Sequence, residues 1–599
     1  MVGQGVLLVD PPTPVVPSRK NINFDKFYEN RSAPSANRLS QQLSHLNGPN
    51  RRTSENTLRK ISSRTSWGRR SSAVTNPELE DETPRRLSYN CYNEDLETGL
   101  KDASIQHGSA QLDGKMAFPS PIPDEKFDER RTDLDIIVVE WDGDDRELGT
   151  SWSMTYRAYL TLYIGLTTIS STMASSISSM VLVNVTEAFN VSMEVAKLTV
   201  FIFVGGYCLG PLAWAPMSEL YGIRWSLLIS LTGSTIFNMA CALSPNIGAL
   251  IIFRFLAGTF SSATLVIGGG VQANIWEKDW LGVGMSVFSM APMCGPALGP
   301  VIGGWIAVSK TTWRWVYWAM TIFSGFLVVL GLVSMKESNP NLTLQKKAQR
   351  LRKTTNDDRY KAPIELRRIV LKELCTRWFL LPILMLIFEP MLQAITIYMS
   401  FVYGVLYLFF EAFPIVFGLH QFNEVQIGLT FLGFLLGCFL AGGFYIFYEN
   451  VRYVRAMKAS PSGVLPPEQR IRVALIGSPL LTISLFWFAW SSYEFVSYWS
   501  AIGAAVMYGM SMFFIFFSLM TFMADAYRQQ TACALSANTV TRSAFGFGFP
   551  LFATQMYDKL NPRWASSLLG FISVAMLPIP FLLYKYGAWL RSKAKFAFG

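Results

Sequence analysis

The sequence predicts an all-α membrane protein of twelve transmembrane helices in two six-helix halves, preceded by a disordered N-terminal tail. Half of the 599 residues are hydrophobic and only 16% are charged, against about 25% in soluble domains. Apolar runs recur from Tyr156 onward, and about 20 such residues cross about 30 Å of hydrocarbon. The longest interruption follows the sixth run, which divides the helices equally.

Residues 1–150 form the predicted tail. They are rich in Ser, Arg, Asn, Pro and Asp and lack sustained apolar periodicity, so they bury too little surface to offset chain entropy. The first ten residues carry too short an apolar run for a secretory signal peptide. Two stretches, Arg51-Arg-Thr-Ser54 and Arg85-Arg-Leu-Ser88, resemble basic kinase sites, which makes a kinase a candidate partner of the tail.

The membrane module divides into a first half at 151–335, a cytoplasmic linker at 336–378 and a second half at 379–599. Residues 379–388 are apolar but fit an interfacial position as well as a crossing one. The spans are predicted near 157–182, 196–216, 226–244, 247–270, 282–306, 314–335, 391–412, 426–447, 471–491, 497–521, 531–555 and 564–586.

The net charge of the chain is +10, and the positions of the basic residues indicate the membrane topology. The tail carries 20 basic and 24 acidic residues, and the remainder carries 32 and 18. In that remainder, 24 basic residues fall in segments predicted inside and four fall in outer loops, namely Lys197, Lys310, Lys559 and Arg563. This asymmetry predicts that both termini are cytoplasmic. It also removes the reason to expect a nucleic-acid partner.

The sequence lacks the residues that several other classes of protein require. Five of the seven cysteines fall in apolar runs and no outer loop offers a pair, so no disulfide framework is expected. Three histidines without neighbouring cysteines give no metal site. Gly114-Lys115 lacks the rest of a phosphate-binding loop, so no nucleotide cofactor is expected. Without a catalytic constellation, the sequence argues against an enzyme.

Span five has an unusual pattern of small residues. Gly295, Gly299 and Gly303 recur every four residues, so they share a face that a neighbouring backbone can approach closely. Prolines at the same period, including Pro296 and Pro300, remove amide donors and make the helix bendable. Each glycine alone fits ordinary packing, but the whole run, which continues to Gly304, is more specific.

These residues resemble the antiporter motif of the major facilitator superfamily, in particular the fungal twelve-span drug:proton antiporter family and its polyamine and multidrug exporter branch. The similarity covers about 450 residues. Other matching stretches are Arg254-Phe-Leu-Ala-Gly258, Pro216-Met-Ser-Glu219-Leu-Tyr-Gly222-Ile-Arg224, Trp313-Arg314-Trp315, Glu389-Pro390, Trp141-Asp142-Gly143 and Tyr403-Gly-Val-Leu-Tyr-Leu-Phe-Phe-Glu411-Ala-Phe-Pro414.

The resemblance implies a proton-coupled exporter of drugs, polyamines or secondary metabolites that works by alternating access. It implies a role in proton coupling for Arg254. The first candidate for the proton carrier is Glu411, an acidic residue inside span seven, and a cationic substrate is the alternative ligand of this carboxylate. A structural anchor is the alternative for Arg254. Glu219, Gly222 and Arg224 are expected at a gate, where Ile223 replaces one of the family's usual paired basic residues.

Four residues are candidates for the cavity. Asn538 and Arg542 lie on a polar face of span eleven, and Tyr403 lies in the aromatic stretch of span seven. Glu389 precedes Pro390 at the inner end of span seven, where capping the helix or meeting linker arginines is the stronger interpretation. The cavity would take a small-molecule substrate and protons.

The sequence leaves open which cellular membrane holds the protein and in which direction it transports. The plasma membrane is expected, with the vacuolar membrane as the alternative. Asn184-Val-Thr and Asn190-Val-Ser lie in the first outer loop and fit the glycosylation triplet, whereas Asn341 lies on the cytoplasmic side. An importer would use the same fold, and the long tail also fits a transporter-like sensor.

Overall fold

The computed structural model describes residues 136–141, 145, 147–366, 379–461 and 463–596. Most of the predicted tail lies outside these residues, together with its kinase-type sites and the expectation of disorder. Asp142, Gly143 and residues 367–378 of the linker also lie outside them. The described chain starts at Ile136, inside the stretch that the sequence assigns to the tail.

Eleven stretches of the described residues are long and apolar enough to cross a membrane. The last, Thr531–Lys593, has 63 residues, about three times the length that one crossing needs. It is interrupted at Asn561, whose φ of 61° and ψ of 154° are not helical. The hydroxyls of Tyr557 and Ser566 lie 2.9 Å apart, although nine residues of continuous helix would separate them by about 13 Å. The chain therefore turns back at Asn561, and the predicted twelve membrane helices are confirmed.

The helices are numbered in chain order, six in each half. Several extend past the predicted apolar runs because their polar end turns continue the helix; α8, for example, continues through a π turn at Tyr445–Glu449. The helices are α1 (Met154–Phe189), α2 (Met193–Leu220), α3 (Ile223–Ala242), α4 (Ile247–Ile275), α5 (Lys278–Val308), α6 (Trp315–Ser334), α7 (Pro390–Gly418), α8 (Glu424–Ala459), α9 (Pro467–Trp490), α10 (Tyr498–Ala526), α11 (531–560) and α12 (562–593).

Local signals explain where some helices begin. The Asn246 side chain accepts a hydrogen bond from the amide of Ala249 at 2.8 Å and caps α4. Asn423 and Gln426 form a reciprocal capping box at the start of α8. Pro390 begins α7, because its missing amide and fixed φ suit the first turn of a helix. The apolar segment Leu381–Phe388 is a separate short helix before that break.

The linker forms a small layer with the end of the tail segment. Strand β1 (Ile137–Val138) pairs in parallel with β2 (Tyr360–Lys361). The helix Pro340–Thr355 packs beside them, with Val139, Leu344 and Ala348 buried together. Lys347 Nζ lies 2.7 Å from Asp145 Oδ2. These contacts attach the start of the described chain to the linker.

The linker distinguishes the two ends of the bundle. Tyr156, near the start of α1, donates a hydrogen bond to the Ser334 carbonyl oxygen at the end of α6 at 2.8 Å, and the linker begins two residues after Ser334. We name this end the linker end and the other the opposite end. Both α1 and α7 start at the linker end and run towards the opposite end.

Two helix pairs join the halves. α5 lies antiparallel to α8, since Asp279 pairs with Lys458 at 2.6 Å near the linker end and Gly304 contacts the Glu424 backbone at the opposite end. α2 packs against α11 in the same way. The interface between the halves is therefore built from α2, α5, α8 and α11, with α1 and α7 beside them.

The small residues of α5 pack against two neighbouring helices, α1 and α8. A Cβ at Gly299 would overlap Ser176 Oγ of α1, and Gly295 and Gly303 are equally crowded by the same helix. Gly304 instead lies against α8 of the other half, and Gly428 of α8 lies against the Pro300 carbonyl. The glycine face therefore fixes α1 within its own half, while Pro300 and Gly304 take part in the contact between halves.

Candidate transport site

Arg254 is fully buried in α4 and held by oxygens of two other helices. Its Nε donates to the Thr199 carbonyl at 2.8 Å, its Nη1 to the Ala174 carbonyl at 2.8 Å, and its Nη2 to Ser178 Oγ at 3.1 Å. The guanidinium carbon lies 4.5 Å from the centre of the Phe203 ring. Among the described residues Arg254 forms no ion pair. Its charge is therefore stabilised by dipoles and an aromatic face, so it ties α4 to α1 and α2.

A break in α1 positions the oxygens that bind Arg254. The α-helix ends at Ser176, two residues after Ala174, and gives way to a 3-10 turn at Ile177–Val181. Gly299 and Gly303 of α5 pack against this turn, where a larger residue would clash with the α1 backbone. The α5 glycines and Arg254 therefore hold the same section of α1 from two sides.

Lys197 and Glu411 form a buried ion pair between the halves. Lys197 Nζ of α2 lies 3.0 Å from Glu411 Oε2 of α7, with 6% and 9% of the two side chains exposed. Thr554 of α11 donates to Glu411 Oε2 at 3.3 Å and accepts a hydrogen bond from Lys197. Glu194 lies 3.7 Å from Lys197 and is half exposed. The cluster joins three helices towards the opposite end.

One face of α7 connects this ion pair with the centre of the bundle. Tyr403, Tyr407 and Glu411 are spaced by four residues and so share that face. The hydroxyls of Tyr403 and Tyr407 lie 3.3 Å apart, and the Tyr407 hydroxyl lies 2.8 Å from Ser175 Oγ of α1. Tyr407, one turn from Glu411 on this face, therefore contacts α1 beside the oxygens that bind Arg254.

Arg542 is the second buried arginine, and its surroundings differ from those of Arg254. It is 5% exposed in α11, and its guanidinium carbon lies 4.8 Å from the Tyr403 ring centre and 5.5 Å from that of Phe516. Among the described residues it forms no ion pair and no hydrogen bond, and its buried Nε has no partner. In the part of the chain that the structure describes, this buried cation therefore contacts aromatic rings and has no counter-ion.

Asn538 and Gly546 share the α11 face that carries Arg542. Asn538 lies one turn before Arg542, is fully buried, and its Oδ1 has no partner. Gly546 lies one turn after, and a Cβ there would come within 2.9 Å of the Tyr403 ring. The small residue allows Tyr403 to lie against α11. Three of the four predicted cavity residues, Tyr403, Asn538 and Arg542, therefore lie in one region.

Glu389 lies elsewhere. It is fully buried at the linker end, about 20 Å along α7 from Tyr403. Its Oε1 accepts hydrogen bonds from the backbone amides of Lys595 at 2.7 Å and Phe596 at 3.0 Å. Its side chain makes no cap to α7. Glu389 therefore fastens the C-terminal segment to the start of α7, apart from the other cavity candidates.

The predicted gate residues lie in the turn between α2 and α3 at the linker end. Gly222 has a φ of 99°, and a Cβ there would clash with the Glu337 carboxylate. That carboxylate accepts the backbone amides of Ile223 at 3.0 Å and Arg224 at 3.2 Å. Arg224 Nη2 donates to the Leu332 carbonyl at 2.9 Å, while Glu219 is exposed. The role of Glu219, Gly222 and Arg224 in a gate stays a prediction.

A surface cleft and the glycosylation triplets lie outside the region around Arg542. The cleft, of about 360 Å³ between α8 and α10, is lined mainly by apolar residues such as Leu429, Leu436 and Ile502, and it does not include Arg542. In the described chain, no group of three His, Cys, Asp or Glu side chains is arranged to hold a metal ion. Asn184 is exposed in the last turns of α1, and Asn190 is exposed with a left-handed φ of 51° directly after them.

A comparison with protein families decides the classification. The family model described as Major Facilitator Superfamily matches residues 164–550, which is well over half of the chain. The chain belongs to the major facilitator superfamily. It is therefore a multi-pass membrane transporter of small molecules and not an enzyme.

Curated fungal members of the major facilitator superfamily are similar over most of their length. An MFS-type transporter of Aspergillus candidus is 37% identical over 78% of this chain and 92% of its own. An MFS-type efflux pump of Trichophyton rubrum is 37% identical over 78% of each chain. A major facilitator superfamily multidrug transporter of Aspergillus fumigatus is 35% identical over 78% of this chain and 77% of its own. The expected resemblance to fungal drug transporters of this superfamily is confirmed.

Two residues of this superfamily member were missed by the sequence analysis. Lys197 was counted as an outer-loop residue, but it is 4% exposed inside α2. A lysine that starts an apolar helix was the available signal, since its long side chain can extend towards a buried carboxylate. Glu337 was counted only as part of the linker. Its position before Ser338-Asn339-Pro340 gives no sign that it caps α3.

Proposed function

We propose that this transporter is a proton-coupled exporter of small organic compounds, and that an inward-moving proton binds Glu411. Two relatives are named an efflux pump and a multidrug transporter, which supports outward transport. The coupling is argued from the ion pair between Lys197 and Glu411 and from the contacts around it.

The ion pair makes the contact between the halves sensitive to a proton. A buried carboxylate and ammonium stabilise each other, and removing one charge leaves the other unpaired at a cost of about 3–5 kcal/mol. Protonation of Glu411 removes its charge and weakens its hold on Lys197 at 3.0 Å. α2 is then free to separate from α7 and α11, with half-exposed Glu194 as the remaining acidic neighbour of Lys197.

Arg254 connects this event with the rest of the first half. Its Nε is bound to the carbonyl of Thr199, two residues after Lys197 on α2. Its Nη1 and Nη2 are bound to α1, and Ser175 of the same turn contacts Tyr407, one turn from Glu411. A shift of α2 therefore changes the binding of Arg254, and through α1 it reaches the centre of the bundle.

The cycle follows from these contacts. With Glu411 ionised, the ion pair keeps the opposite end closed and the substrate enters from the linker end, which the excess of basic residues assigns to the cytoplasm. A proton from outside reaches Glu411, the opposite end opens, and the substrate leaves. Return to the closed state releases the proton at the linker end. The contacts of Pro300 and Gly304 with α8 provide the surface about which the halves rock.

Transport by purified protein in liposomes tests this function. Naphthoic acid, naphthamide, naphthylmethylamine and spermidine cover acidic, neutral, cationic and polyamine substrates. An imposed proton gradient should drive at least one of them against its own gradient, and a protonophore should abolish this accumulation. If the gradient moves none of the four, or if the protonophore changes nothing, the proposal fails.

A further inference from the structure

The centre of the bundle contains a charge that the proposed cycle does not use. Arg542 is 5% exposed, and its guanidinium has neither an ion pair nor a hydrogen bond among the described residues. An unpaired buried arginine is expensive in a membrane protein and normally faces a partner or a cavity. Its neighbours, Tyr403 and Phe516, give it aromatic faces and no counter-ion.

We infer that Arg542 is the anion-binding residue of the substrate site, so that the transported compounds carry a carboxylate or another oxyanion on an apolar skeleton. This inference rests on the proposed function, because it names the substrate class of the same transporter. The planar guanidinium offers paired donors that match a carboxylate, which a single ammonium does not.

Comparison with Arg254 supports this assignment. The two arginines are similarly buried, but all three donating nitrogens of Arg254 are bound to oxygens of the protein. The guanidinium of Arg542 has none of these bonds, so its donors remain available to a ligand. A structural arginine would be expected to have its hydrogen bonds satisfied, as Arg254 does.

The residues around Arg542 supply the other parts of a binding site. Asn538 lies one turn away on the same helix face, and its buried Oδ1 lacks a partner. Buried polar groups normally have partners, so the guanidinium points to an anionic group of a ligand and the amide oxygen to a hydrogen-bond donor elsewhere on the same ligand. The rings of Tyr403 and Phe516 provide apolar contact for the body of the ligand.

The same arrangement disfavours a polyamine at this position. A polycation needs carboxylates, and the ion pairs of the described residues place none beside Arg542. Glu411, the acidic residue on the same face of α7 as Tyr403, lies about 12 Å along the helix. It is already bound to Lys197 and Thr554. The cation at the centre would repel an amine and attract an acid.

Equilibrium binding to purified full-length protein tests the inference without a proton gradient. Tritiated naphthoic acid at neutral pH is the probe, and naphthamide and naphthylmethylamine are competitors with the same ring system. The acid should bind about 10–100-fold more tightly than the amide, the range expected for a charge-assisted hydrogen-bonded pair. The amine should be the weakest competitor.

Variants assign that preference to Arg542. Arg542→Gln should weaken naphthoate binding by about 10–100-fold and leave naphthamide within about twofold, which also shows that the variant is folded. Arg542→Lys should keep part of the preference, because it keeps the charge but loses the fork of donors. The exposed Arg563, changed to Gln, is the matched control and should have no effect.

The outcomes separate this inference from the proposed function. No binding of naphthoate, a preference for the amine, or an unchanged acid-to-amide ratio in Arg542→Gln would overturn the anion site. None of these results depends on proton coupling. Gradient-driven transport of the amide or the amine would leave the proposed function standing even if the anion site failed.

Discussion

Lys197 Nζ lies 3.0 Å from Glu411 Oε2, although the two residues belong to different halves of the transporter. Both side chains are almost fully buried, and together with the partly buried Thr554 they join α2, α7 and α11. In the proposed cycle, this contact opens when one proton is added to the carboxylate.

Replacing one partner of the ion pair should destabilise the protein more than replacing both. Lys197→Met or Glu411→Gln leaves one buried partner uncompensated, at a cost of about 3–5 kcal/mol, whereas Lys197→Met with Glu411→Leu should be close to wild type. Because protonated Glu411 needs no cation, the deficit of Lys197→Met should shrink as the pH is lowered. Thermal unfolding of the purified variants measures this. A double variant as unstable as the worse single variant would contradict the account.

Replacing Arg254 should stop coupled transport. Arg254→Ala removes three charge-assisted hydrogen bonds, each worth about 1.5–3 kcal/mol, so the rate of gradient-driven transport should fall by about tenfold or more. Expression and membrane targeting should be kept, since the helices retain their other contacts. Efflux from cells measures the effect, with the exposed Arg563→Ala as control. Normal efflux by Arg254→Ala would remove this residue from the mechanism.

Enlarging Gly299 should disturb the α1 turn that binds Arg254. A Cβ at Gly299 overlaps Ser176 Oγ, whereas a Cβ at Gly443 of α8 meets nothing within 4 Å. Overpacking costs about 1–3 kcal/mol or more, so Gly299→Leu should lower both the melting temperature and transport, and Gly443→Leu should change neither. Equal behaviour of the two variants would show that the glycine pattern is incidental.

Glycosylation tests the orientation of the bundle. If the opposite end faces outside, the exposed Asn190 in the loop after α1 should carry a glycan, and Asn190→Gln should remove a glycosidase-sensitive shift on a gel. Asn184 lies within the last helical turns and should be used less. Asn341 of the linker is the internal control. A shift that depends on Asn341 would reverse the topology.

The membrane helices could be predicted from the sequence, because whether a segment crosses the membrane depends on the length of its own apolar run and not on the helices that pack against it. The break between the last two helices was also predicted, at the loop that contains Asn561 and Pro562. The pairing of β1 with β2 was not predicted, because each strand has two residues and their partners are far apart in sequence.

The candidate site was predicted only residue by residue. Arg542 and Asn538 were identified from polarity inside an apolar run and Tyr403 from an aromatic stretch, but their common location depends on how α7 packs on α11, aided by Gly546. The partner of Glu411 was missed because Lys197 stands at the edge of its apolar run and resembles a loop residue. Glu389 is an acidic residue at the end of an apolar run, which made it a candidate for the cavity, but backbone amides of the C-terminal segment donate hydrogen bonds to its carboxylate.

The most direct test of proton coupling is a proton flux driven by substrate. Liposomes containing the protein and an enclosed pH-sensitive dye are loaded with a transported compound, and its exit should draw protons in the opposite direction. Glu411→Gln should still exchange substrate between the two sides without moving protons, while the exposed Glu187→Gln at the same end should behave as wild type. Proton movement by Glu411→Gln equal to that of wild type would contradict the account.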